Sequence, residues 1–236
     1  MSRVVVLNTR AAEQAGELTR LLRATNFDAI EAPAITIAHG WDPATLEAVR
    51  RDLRAGLFDW VVLPSQNAGR AIAADLHDAH VICGAATATA LGIVAEIALD
   101  RFSASAALHA LRLRATPGQR VLVPRAAEGR DELVDGLRQI GADVSAPVAY
   151  RTLPVADAAN RLRAGGIDVV TLGSPSAVRS LAPALKEASS VQLVCLGETT
   201  AGAARERGLR VDAVAVQTTM ESLVQAVRSL RGSVTA

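Results

Sequence analysis

Residues 58–72 read FDWVVLPSQNAGRAI, and residues 167–181 read IDVVTLGSPSAVRSL. In each, a Val-rich run of strand length meets a turn of small polar residues, then apolar positions spaced by three and four. That is the pattern of a strand feeding a helix. Laid over one another, they put Ser65 on Ser174 and Arg70 on Arg179. The likeness continues on both sides. Residues 6–26 align with 121–141 without a gap, repeating Arg-Ala-Ala-Glu at 10–13 and 125–128 and placing Leu18 and Leu22 on Leu133 and Leu137. Asn26 falls on Gly141, and these two residue types best tolerate the left-handed turn that closes a helix. A strand follows each helix and ends in Ala-Pro, at 32–33 and 146–147. Finally, ICGAATATA (82–90) matches CLGETTAGA (195–203), with Gly84 on Gly197 and Thr87 on Thr200. The blocks keep their order, so the chain carries an internal duplication.

Each copy is about 110 to 120 residues, a common domain size. Alternating Val/Ile runs and amphipathic stretches predict an α/β fold of two similar domains, each a parallel sheet flanked by helices, with a cleft between them. Strands are expected at 3–8, 58–63, 80–84, 92–97, 119–123, 167–172, 191–196 and 210–216. In open α/β sheets, ligands bind beyond the carboxyl ends of the strands, where loops feed helix N-termini. The duplicated blocks peak at those places.

The totals narrow the partners. A formal charge of +1 over 236 residues gives no field that implies nucleic acid or an anionic membrane. No apolar run approaches the length of a membrane helix, and MSRVVVLNTR has too short an apolar core for a signal peptide, so a cytoplasmic protein is expected. All 25 basic residues except Lys186 are arginine, the side chain suited to planar recognition of carboxylates. Cys83 and Cys195 sit in apolar strand-like runs and read as buried thiols. The spacing in HDAH (77–80) brings no third ligand, so no metal is expected.

The turns carry the chemistry. Ser65 or Asn67, and Ser174 or Ser176, are placed to cap the following helix, and the free amides there suit an anionic group. Gly84 and Gly197 would allow close backbone approach, with Thr87 and Thr200 offering hydroxyls. None of these turns is a Walker loop or a G-x-G-x-x-G, which argues against nucleotides. Tyr150, the one tyrosine in the sequence, follows the second Ala-Pro in PVAYRTLP (147–154). A phenol stays protonated at neutral pH and can donate a proton to a leaving group. Glu13 and Glu128 are expected in the first turns of their helices, opposing the dipole, which leaves Arg10 and Arg125 to face the cleft.

Together, FDWVVLPSQNAGRAI, VICGAATATAL, RVLVPRAAEGRDELVDGLRQIGADVSAPVAYRTLP, IDVVTLGSPSAVRSL and VCLGETTAGAARERGLRV resemble the uroporphyrinogen-III synthases over nearly the whole chain. The resemblance implies a cofactor-free cyclising hydro-lyase that closes linear hydroxymethylbilane, a small molecule with eight carboxylates, to uroporphyrinogen III with inversion of ring D. The alternative is a non-catalytic clamshell of the same ancestry that binds a polycarboxylate in a regulatory role. The resemblance assigns carboxylate anchoring to Ser65, Gln66 and Asn67 and to Ser174, Pro175 and Ser176. It places Thr87 and Thr200 on the cleft and makes Tyr150 the candidate proton donor. It also implies flavodoxin-like domains with a discontinuous division: 1–33 with 155–236, then 42–146, joined by hinge strands at 34–41 and 147–154. A monomer is expected, with transient handover from hydroxymethylbilane synthase. The chain departs from the family pattern at Pro64, where a threonine is usual, at Gly69 for valine, and at Ala85 and Glu198 for proline.

Overall fold

The computed structural model describes residues 3–76, 79–114 and 117–230; His77 and Asp78 of the HDAH stretch lie outside the described residues. In chain order the elements are β1 (Val5–Asn8), α1 (Ala12–Ala24), β2 (Asp28–Glu31), β3 (Ile35–His39), α2 (Pro43–Arg54), β4 (Trp60–Leu63), α3 (Gln66–Gly69), β5 (His80–Gly84), α4 (Ala85–Leu91), β6 (Ile97–Leu99), α5 (Ala104–Arg112) and β7 (Arg120–Leu122). There follow β8 (Arg125–Ala126), α6 (Glu132–Gln139), β9 (Asp143–Ser145), β10 (Val148–Pro154), α7 (Asp157–Arg163), β11 (Val169–Leu172), α8 (Pro175–Glu187), β12 (Gln192–Cys195), α9 (Glu198–Arg205), β13 (Ala213–Val214) and α10 (Met220–Ser229). The chain forms two compact units, Met1–Thr36 with Leu153–Ala236, and Ile37–Thr152. It passes from the first to the second within β3 and returns within β10.

The first unit holds a five-stranded sheet in the order β13-β12-β11-β1-β2, with parallel pairing throughout. Counted along this unit's own chain the order is 2-1-3-4-5, the flavodoxin arrangement. The second unit's sheet runs β6-β5-β4-β7-β9, also parallel. Under the internal alignment β7 is β1, β9 is β2, β4 is β11, β5 is β12 and β6 is β13. The two sheets therefore have one spatial order, entered at a different strand. A further three-stranded sheet has the order β3-β10-β8.

Alternation sets the faces of the second sheet. Val61 and Leu63 of β4 point into a cluster with Trp41, Val49 and Leu53 from the α2 side; Trp60 and Val62 point into another with Leu111 of α5 and Leu133 and Leu137 of α6. In the first unit, Val6 and Val169 pack with Leu18 and Leu22 of α1 and Leu223, Val224 and Val227 of α10. Both units repeat the same fastening where their central strands begin. Asp168 accepts from the amide of Val5 at 2.7 Å, and its duplicate Asp59 accepts from the amide of Arg120 at 2.8 Å. Helices α1 and α6 also close alike: Asn26 (φ 62) and Gly141 (φ 87) take the left-handed conformation, and Phe27 and Ala142 donate back to Leu22 and Leu137.

Three expectations are corrected. The strand expected at 92–97 is Ile97–Leu99, because Gly92 (φ 63) closes α4 and the chain needs a loop before it can rejoin the sheet. The strand expected at 210–216 is only Ala213–Val214. The second Arg-Ala-Ala-Glu does not begin a helix. Glu13 lies in the first turn of α1, but Arg125–Ala126 form β8 against β10, and α6 starts only at Glu132. Two aligned positions explain this. Asn8, fully buried, accepts from the amide of Arg10 and donates to Ala15 O and Thr19 Oγ1, bending the chain into α1. Val123 and Pro124 replace Asn8 and Thr9 in the second copy; neither can make those bonds, and the proline keeps its predecessor extended.

Candidate active site

Ser65 and Ser174 occupy matching positions at the carboxyl ends of β4 and β11, with nearly identical backbones (φ −160, ψ 163 and φ −159, ψ 157). Each accepts from the amide three residues on, Ala68 at 3.3 Å and Ala177 at 3.2 Å. Of the alternative caps, the serines at 65 and 174 are the ones used. Beyond this the two turns differ. Ser174 opens the 13-residue α8, with Pro175 in its first turn, where a missing amide costs nothing. Ser65 opens a helix of only four residues. Gly69 ends that helix, and the room a valine would occupy there is filled by Leu91 and Leu63, whose methyls lie 2.6 and 2.9 Å from where its Cβ would be.

In the first unit the loops after β1 and β11, neighbours at the point where strand order reverses, enclose a pocket of about 40 Å³ lined by Thr9, Arg10, Gln14, Ile35, Gly173 and Ser174. The pocket is small, open to solvent and lined by a guanidinium, hydroxyls and a backbone turn. Arg10 is fixed by the bond from its own amide to Asn8 and by its Nε and Nη2, which donate to Gln14 O and Oε1 at 2.9 and 3.2 Å. Its Nη1 faces Gly173. Among the described residues no carboxylate forms an ion pair with it. Burial lowers its pKa, with Glu17 pulling the other way, and a guanidinium remains charged regardless. Thr9 is pinned by donating to Thr171 O at 2.6 Å, and Thr171 donates to Leu7 O. A larger groove of about 380 Å³ lies at the opposite ends of β11 and β12, but there Arg163 and Glu187 pair with each other.

The second unit arranges the corresponding groups differently. Arg125 is tied within its own loop, to Asp131 and to Gly129 O at 2.9 Å. What reaches Ser65 instead is Tyr150, from β10: the two hydroxyls are 3.2 Å apart. Tyr150 is half-buried against the α2-side core, and its carbonyl accepts from Ala127, just past β8. Gly40 abuts its backbone so closely that a Cβ there would lie 2.7 Å from Tyr150 N.

The remaining expected residues divide. Gln66 and Asn67 lie in α3, and Ser176 follows Pro175 in α8, where it accepts from Arg179 at 2.8 Å. Gly84 and Gly197 are the residues before α4 and α9, with φ −73 and 175, conformations open to any residue. A Cβ at Gly84 would touch Phe102 at 3.4 Å. Thr87 and Thr200 share the third helical position; Thr87 is half-buried, while Thr200 is 5% exposed and its neighbour Thr199 is the exposed hydroxyl. Sequence reasoning passed over Asn8 and Gln14, which hold Arg10, and Thr9, which lines the pocket beside it. A buried asparagine closing the apolar run VVLN was the available signal.

Two flavodoxin-like α/β units, each with polar residues gathered where the central strands end, define a ligand-binding or catalytic protein of the doubly wound class. The family profile described as "Uroporphyrinogen-III synthase HemD" matches residues 16–225, and the chain belongs to that family. It is 29% identical over 252 residues to the chloroplastic uroporphyrinogen-III synthase of rice, covering 95% of this chain and 81% of that one. It is 25% identical to the porphyrin biosynthesis protein HemD of Ruminiclostridium josui, of which it spans about half, 48%. Among solved structures, a mutant uroporphyrinogen III synthase of Thermus thermophilus shares the fold with a TM-score of 0.65 at 17% identity, over 98% of this chain and all of that one. The enzyme of Helicobacter pylori does so with 0.60 at 16%, over the same shares. No helix among the described residues is long and apolar enough to cross a membrane.

Proposed function

We propose that this chain closes hydroxymethylbilane to uroporphyrinogen III, inverting ring D and releasing water, as a step of tetrapyrrole biosynthesis. Family membership over residues 16–225 carries this reading. As the family resemblance implies, the bilane loses its hydroxyl to give an azafulvene, the substituted carbon of ring D attacks to form a spiro intermediate, and fragmentation and reclosure follow. Holding the substituted carbon within bonding reach is then most of the catalysis.

In this reading the Arg10 pocket takes one of the eight carboxylates, with Ser174, Pro175 and Ser176 at its α8 side. A charged hydrogen bond contributes about 1.5 to 3 kcal/mol, enough to fix one arm of the substrate. Gly84, Thr87, Gly197 and Thr200 mark where further substrate groups approach, and Tyr150 protonates the departing hydroxyl. The protein works without a cofactor, as a cytoplasmic monomer that receives its substrate from hydroxymethylbilane synthase.

The test is the isomer formed. Unaided hydroxymethylbilane closes to the type I product, so the purified chain given fresh bilane should yield type III. Type I alone, at the unaided rate, would leave a binding role in place of the enzyme.

A further inference from the structure

Ser65 and Ser174 are duplicates in sequence, in backbone and in capping bond, yet they meet different surroundings. Beside Ser174 stand a 13-residue helix and Arg10. Beside Ser65 the helix has four residues, the preceding Pro64 has no amide hydrogen, and Arg125 is bound to its own loop. The turn has thus lost the groups that hold an anion and has gained a phenol at 3.2 Å.

We propose that Ser65 is a positioning residue for Tyr150 rather than a carboxylate anchor, a role that rests on the proposed bilane closure. In the proposed role Ser65 is the donor of that bond. Ser65 Oγ accepts from the amide of Ala68 and still has its one O–H to give. Given to Tyr150 Oη across the 3.2 Å contact, that O–H leaves the phenol its own proton for the substrate. When Tyr150 gives it up, the phenol O–H bond breaks, the proton joins the departing hydroxyl, and the C–O bond breaks with its electron pair onto that oxygen, which leaves as water. The pyrrole nitrogen supplies the electrons that form the azafulvenium, whose N–H proton then returns to the phenolate. The Ser65 hydroxyl stays bonded to the oxygen while it is negative, and a donor aimed at developing charge speeds the step that creates it. Gly40 and Ala127 fix the tyrosine backbone from either side.

Ser65→Ala, Ser65→Thr, Tyr150→Phe and the Ser65→Ala/Tyr150→Phe double variant, assayed on fresh bilane, test the assignment. Ser65→Ala should lower kcat about five- to tenfold with KM unchanged. Ser65→Thr should restore most of it, and Ser65→Ala should have no further effect once Tyr150 is Phe. A Ser65→Ala variant with raised KM and parental kcat makes Ser65 an anchor and overturns the proposal. So does an equal loss on both backgrounds. Tyr150→Phe at the parental rate removes the proton-donor reading and this role with it, whereas a slow Tyr150→Phe beside an unaffected Ser65→Ala removes this role alone. A readout independent of turnover comes from the single tyrosine, which gives one ring signal in a 13C-tyrosine-labelled sample. That signal should move in Ser65→Ala and return in Ser65→Thr; an unmoved signal also overturns the proposal.

Discussion

Single residues carry the chemistry, and the two arginines of the repeated Arg-Ala-Ala-Glu show how little the local word decides. Arg10 has an Nη1 without a carboxylate partner among the described residues, while Arg125 closes a loop with Asp131. Replacing Arg10 by Ala should therefore lower kcat/KM about 10- to 100-fold, mostly through KM, with Arg10→Lys intermediate because a point charge cannot keep both bonds to Gln14. Arg125→Ala should leave KM near the parental value and instead lower the melting temperature. Steady-state kinetics on fresh bilane, with thermal melts, separates the two. On the proposed role of Tyr150 as proton donor, Tyr150→Phe should lower kcat by about 100-fold or more, the usual scale of a lost general acid. The thiols act on stability alone. Burial pushes Cys195 from an ordinary value of 9.0 up to about 12, and it raises Cys83 as well. Between those two pH values the folded state keeps a proton that the unfolded state has released, so stability falls as pH rises from about 9 towards 12. Chemical unfolding at stepped pH should show a shallower decline in Cys195→Ala than in the parent.

Elements show which parts of the duplication were legible. Strand and helix starts at 58–72 and 167–181 could be read because a strand buried on both faces needs a continuous Val-rich run and a serine cap has a chemical signature. The length of α3 could not, and neither could the place of Leu91, whose methyl fills the space beside Gly69 in a contact between helices that neither segment announces. The start of α6 was misread for a similar reason. The word Arg-Ala-Ala-Glu fits a helix, but β10 arrives to pair with it, and the bonds Asn8 makes in the first copy are absent from the second. The aspartates that fasten the sheets, Asp59 and Asp168, stand at matching positions in FDW and IDV. Each holds one backbone amide of the neighbouring central strand. Asp59→Ala and Asp168→Ala should each reduce stability by about 1 kcal/mol in urea titrations, the usual net worth of such a bond, and a loss within error for both would make the shared geometry incidental.

At the scale of the whole molecule, the shared strand order of the two sheets accounts for a discontinuous first unit and a continuous second one. The duplicate is entered at β4 rather than at the counterpart of β1, so Ile37–Thr152 is an uninterrupted stretch with its own sheet and its own core on both faces. The pairing of β8 with β10 up to Tyr150, the contact of Gly40 with Tyr150 and the hydrogen bond to Ser65 all lie inside that stretch. None of them involves a residue of the first unit. The Arg10 pocket, by contrast, is built wholly from the first unit. A fragment of residues 37–152 should therefore unfold cooperatively in a thermal melt and give the same single tyrosine ring signal as the full chain. It should nevertheless leave hydroxymethylbilane to close to the type I isomer, because selecting the substituted carbon of ring D requires the substrate to be held as well as protonated. Type III product from the fragment would show that the tyrosine-bearing unit suffices and would remove Arg10 from the mechanism. A fragment without a cooperative transition would show that the second core depends on the first, against the separate clusters on which this expectation stands.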